Sequence, residues 1–152
     1  MASFSDDLVK ATNNMGYYFQ KCDNKEKALA YYRQALGISR IFSRETPEIA
    51  ELLHKTGACL SSLNKSIEAV CYDKQAVIMS MHIYQNNHPN IDLYLNHLAS
   101  TLNKISDPEI LTKTKEELKP LCDWKLGKEH PLTKTLLNSG QKGWLSMSMF
   151  KW

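Results

Sequence analysis

Apolar residues recur along this chain at the spacing of one buried helical face, in successive bursts separated by short polar turns. Leu8, Ala11, Met15, Gly16 and Phe19 advance by three, four, one and three residues, as an amphipathic helix requires. Ala28, Leu29, Tyr32, Ala35, Leu36 and Ile38 make a second face on a helix from about Lys25 to Ser43. Ile49, Leu52, Leu53, Gly57, Leu60 and Leu63 make a third. Ile67, Val70, Cys71, Ala76, Val77 and Met81 make a fourth, through Tyr84, and Ile91, Leu95, Leu98, Ala99 and Leu102 a fifth. A sixth helix opens at Pro108 and runs to about residue 126, and a short seventh spans Pro131 to about Asn138 with Leu132, Leu136 and Leu137.

The boundaries have their own chemistry. Ser5 is placed to cap the first helix, with Asp6 and Asp7 in its electropositive first turn. Thr46 precedes Pro47, which suits a first helical position because the missing N–H would have no intrahelical partner there. Ser66 is the expected cap of the fourth helix and Ser106 or Asp107 that of the sixth. Pro120 is expected to kink or break the sixth helix near Lys119.

These helices repeat as pairs. Gly16, Ala28 and Ala35 are matched by Gly57, Ala69 and Ala76 at the same offsets of 12 and 19 residues. A third copy has Ala99 at the glycine position but Leu111 and Leu118 at the alanine positions, so its two helices must pack wider or differently. Thr46-Pro47, His88-Pro89 and His130-Pro131 recur 42 residues apart. A period of this size predicts stacked supersecondary units whose faces bind other proteins.

Composition narrows the class. At 152 residues, with 43% hydrophobic and 23% charged residues, the chain is long enough and apolar enough for one domain with a real core. Its net charge of +3 is spread without a basic stripe, which argues against nucleic acid. No stretch approaches a membrane span, and Met1 to Leu8 do not form a secretory signal. The four cysteines, Cys22, Cys59, Cys71 and Cys122, lack metal-ligand spacing and read as reduced thiols, so a cytoplasmic setting is expected, with no cofactor and no metal. No phosphate loop, HExxH or nucleophile motif is present, and His88 and His130 are explained by helix capping. Neither His54 nor His97 is followed by a carboxylate at a clear orienting offset, so no enzyme is expected.

The small-residue skeleton Gly16–Ala28–Ala35 and Gly57–Ala69–Ala76 resembles that of a tetratricopeptide repeat. Asn13-Asn14-Met15-Gly16, Tyr31-Tyr32 with Ala35-Leu36-Gly37-Ile38, and His88-Pro89-Asn90-Ile91 followed by Leu95-Asn96-His97-Leu98-Ala99 resemble the roughly 42-residue version of kinesin light chains. The resemblance covers about residues 8 to 137. Asp73 departs from it, standing where Tyr32 stands in the first repeat and a large apolar residue is usual, with Tyr72 beside it as a substitute. The resemblance implies an all-α, right-handed α-solenoid of antiparallel helical hairpins, a TPR-like superhelix. Its repeats would occupy residues 6–45, 46–87 and 88–129, with a partial capping repeat at 130–143 closing a domain over 1–143, and an apolar tail at 144–152.

It also implies a concave groove lined by the first helix of each pair. Its positions correspond to Lys10, Asn13, Asn14, Tyr17 and Lys21; to Glu51, His54, Lys55, Ala58 and Ser62; and to Leu93, Asn96, His97, Ser100 and Lys104. The lysines favour an acidic partner, and an asparagine amide, both donor and acceptor, suits the backbone of an extended peptide, with Asn14 and Asn96 as the leading candidates. The lysine and asparagine set with which chaperone-binding relatives hold a terminal carboxylate is not reproduced: Asn13, Tyr17, Lys55, Leu93 and His97 occupy those places. The expected function is therefore an adaptor or scaffold module for an acidic peptide segment. The alternative is a self-assembling unit, a homodimer for instance, joined through the tail Trp144 to Trp152, which otherwise folds back on the last repeat.

Overall fold

A computed structural model describes residues 4–42 and 44–140. The apolar tail at 144–152 lies outside them. Among the described residues seven helices follow in order: α1 (Phe4–Lys21), α2 (Lys25–Arg40), α3 (Pro47–Ser62), α4 (Ser66–Ile83), α5 (Pro89–Leu102), α6 (Pro108–Lys125) and α7 (Pro131–Asn138). None is long and apolar enough to cross a membrane.

Local chemistry sets most boundaries. Thr46 Oγ1 accepts from Ile49 N, and Asp107 Oδ1, not Ser106, accepts from Glu109 N. His88 and His130 cap α5 and α7 in the same way, each Nδ1 accepting a backbone N–H two residues on. Proline opens α3, α5, α6 and α7. Three expectations are corrected. Ser5 lies inside α1, which already includes Phe4, and does not precede the helix as a cap. Ser66 is the first residue of α4 and Lys65 its cap position, with no side-chain cap bond. α2 ends at Arg40, short of Ser43.

Within the first two pairs the helices approach through their small residues. Ala28, Ala35, Ala69 and Ala76 are fully buried. A Cβ on Gly16 would stand 2.5 Å from Tyr32 Cε1, so only a glycine lets α1 lie on that ring. The Tyr32 hydroxyl in turn donates to Gln20 Oε1 at 2.6 Å. Leu52, Leu60, Val77, Met81, Ile91, Leu95 and Leu98 continue the core through α3, α4 and α5.

The third pair is built differently. α1 packs chiefly on α2 and α3 chiefly on α4, but the backbones of α5 and α6 scarcely come close; each approaches α4 and α7 instead. Leu111 and Leu118 stand where the earlier pairs have alanines, Leu111 half-buried and Leu118 fully buried, and hold the two helices further apart. α7 thus serves as the second partner of α5. At its end Gly140, with φ of +73°, donates its N–H to Asn103 Oδ1 at 2.7 Å and sits 2.6 Å, as measured from an added Cβ, from Leu111 Cδ2. Of the kink or break expected near Lys119, the break does not occur: α6 is continuous through Pro120. Pro120 and Glu116, whose carbonyl loses its usual donor, both lie on the exposed side, where the freed acceptor is open to solvent.

Candidate functional site

The first helices of the three pairs meet along one face. Tyr17 of α1 stands between two ammonium groups, Lys21 Nζ at 5.1 Å and Lys55 Nζ at 5.5 Å from its ring centroid, the second reaching over from α3. Lys55 also pairs with Glu51 one turn earlier at 3.1 Å. On the next junction, the His54 ring of α3 lies 4.7 Å from the Tyr94 ring and 5.0 Å from the His97 ring of α5. Further along, Lys104 Nζ donates to Ser61 Oγ at 2.9 Å, tying the ends of α5 and α3. Tyr17, Lys21, His54, Lys55 and His97 are therefore brought into one continuous strip.

The remaining expected residues are placed less closely. Asn14, Asn96 and Ser100 are exposed on their helices, as are Ser62 and Leu93, while Ala58 is half-buried. Asn13 is half-buried, and its Oδ1 has no hydrogen-bond partner among the described residues. Lys10 lies apart from the strip, lining with Val9, Phe42 and Ile49 a hollow of about 210 Å³ where α1 meets the start of α3. The strip is less basic than its sequence suggests. Lys55 is offset by Glu51, and His54 is neutral at ordinary pH, because burial and then the neighbouring His97 lower its imidazole from 6.5 to about 4.

Asp73 is the residue that sequence reasoning missed. It was expected to be a loss of apolar packing covered by Tyr72; Tyr72 does pack at the edge of the core, but Asp73 itself points inward and is 1% exposed. Its Oδ2 accepts from the Thr101 hydroxyl at 2.7 Å, and its Oδ1 stands 3.1 Å from His97 Nδ1. The expectation that neither groove histidine has an orienting carboxylate is thereby corrected. The pair is close enough for an ion pair but not aligned for a hydrogen bond, so Asp73 Oδ1 and His97 Nδ1 both lack a hydrogen-bond partner among the described residues. One ligand-type atom from each of His54, Asp73 and His97 lies within 4.8 Å of the others. The repeated frame was the available signal: Asp73 occupies in α4 the position from which Tyr32 of α2 faces Gly16, and it faces Gly57 likewise. The cysteines are free thiols as expected, Cys59 and Cys122 buried, Cys22 and Cys71 exposed, and burial raises the Cys122 thiol to about 11.

Stacked helical pairs with glycine and alanine at fixed offsets define a TPR-like helical-repeat solenoid. Two crystal structures of a Podosopora anserina putative kinesin light chain with nearly identical TPR-like repeats share this fold. Each superposes with a TM-score of 0.55 over 99% of this chain and 91% of the other, at 13% and 14% sequence identity. No family model matches the chain. Similarity at that identity concerns the fold.

Proposed function

We propose that this chain is a cytoplasmic protein-interaction module, an adaptor or scaffold that receives an extended acidic segment of a partner along the strip formed by α1, α3 and α5. The observation that carries the reading is Tyr17 flanked by Lys21 and Lys55 from neighbouring repeats. An aromatic face between two ammonium groups offers an acidic peptide both packing surface and charge. Asn14 and Asn96 stand exposed on the helices at either side, where their amides can take a peptide backbone. No step of chemistry is required of the module.

The test is a quantitative pull-down from cytosolic extract, followed by anisotropy titration of labelled peptides from the captured proteins. The triple variant Asn14→Ala, Lys55→Glu, Asn96→Ala, with folding checked by circular dichroism, is expected to lose the partners that carry acidic segments. Peptide affinity for the native chain should also fall as salt rises. Retention of the same partners by the variant would place recognition elsewhere on the molecule.

A further inference from the structure

We propose that His54, Asp73 and His97 form a binding site for a divalent transition ion of the zinc class, set where α3, α4 and α5 converge. The site shares His54 and His97 with the strip, but the argument for it does not rest on what the strip binds.

The argument begins with the carboxylate. A charged group at 1% exposure is costly unless both its oxygens are satisfied. Thr101 satisfies Oδ2 and fixes the plane of the group. Oδ1 has no hydrogen bond, and neither has His97 Nδ1, although the two atoms are 3.1 Å apart. Two unsatisfied atoms of ligand type that face each other without bonding are both completed by one cation between them. His54 supplies a third donor, from a separate helix, within the 4.8 Å span of the set. Ligand atoms around one tetrahedral ion lie roughly 3.4 Å apart, so closing the set takes an approach of up to about 1.4 Å, shared between imidazoles that are only half-buried.

Two further features fit. A Cβ on Gly57 would collide with Asp73 Oδ1 and stand 2.8 Å from its Cγ, so the glycine keeps open the space that the carboxylate enters. The Thr101 hydroxyl plays the part of the outer hydrogen-bond partner that orients a metal-bound carboxylate. The donor set narrows the ion: two imidazoles and one carboxylate suit divalent first-row transition ions such as Zn²⁺ and Co²⁺, whereas Ca²⁺ and Mg²⁺ prefer oxygen throughout. In the first repeat the same position holds Tyr32, its hydroxyl bonded to Gln20, which leaves no such donor set there.

The test is titration of the tag-free, chelator-stripped full chain with Co²⁺ alone, followed by displacement with Zn²⁺. Visible d–d absorption is expected to saturate at one ion per chain, without the near-ultraviolet band of thiolate ligation, and Zn²⁺ should abolish it. His54→Gln and His97→Gln, each shown to be folded by circular dichroism, should each weaken Co²⁺ binding at least about tenfold. His82→Gln, at an exposed histidine outside the set, should leave it unchanged. Because Asp73→Asn alters a buried position and can unfold the chain, the two histidine variants carry the decision. Absence of a one-to-one complex, a thiolate band, or undiminished affinity in either histidine variant would overturn the proposal.

Discussion

At the scale of single residues, space around a glycine separates two substitutions that look alike on paper. Gly57 faces Asp73, and an added methyl would meet the carboxylate and then the Ala69 carbonyl oxygen at 3.4 Å. Gly37 lies on the exposed side of α2 with nothing within 4 Å of an added Cβ. Gly57→Ala should destabilise the chain by about 1 to 3 kcal/mol through overpacking. Gly37→Ala should stabilise it by up to about 1 kcal/mol, because alanine orders a helix at lower entropic cost. Urea denaturation midpoints of the two variants, expected to move in opposite directions from the parent, check this. The glycine at 57 was legible from its repeated offset; its neighbour was not, since nothing in the local pattern says that an aspartate will turn inward. That requires Thr101 and His97, which come from the next repeat.

At the scale of elements, helix starts were legible because capping is local chemistry: Thr46, His88 and His130 all bond within three residues of themselves. Pro120 was not. A proline breaks a helix when the freed carbonyl is buried and unpaired, and its effect therefore depends on which way that side of the helix faces. In α6 it faces water, and the helix persists at a cost to its stability. Pro120→Ala restores the backbone donor without removing a buried contact. It should raise stability by about 1 to 3 kcal/mol, less than or equal to the usual interior penalty of proline. A rise in Tm on thermal denaturation followed by circular dichroism is the expected result. An unchanged or lowered Tm would mean that the proline ring itself packs favourably in α6.

At the scale of the whole molecule, the first two pairs are closed and the third is open, with α7 taking up the face of α5 that α6 leaves. Stability should follow this division. Amides of α3 and α4, which bury apolar residues on both neighbours, are expected to exchange slowest with deuterium, and those of α6 and α7 markedly faster. Exchange measured by mass spectrometry on peptides from each helix checks the order; uniform protection would mean that the array unfolds as one unit. The sequence by itself determined the helices, their pairing period, the small residues at the first two crossings and the prospect that the third crossing would differ, because each of these follows from spacing and from side-chain size along one helix. The tertiary structure alone decided that α7 replaces α6 against α5, that Lys21 and Lys55 share the Tyr17 ring, and that Asp73 meets His54 and His97. Those are contacts between residues far apart in the chain, and their existence depends on how three helices converge in space.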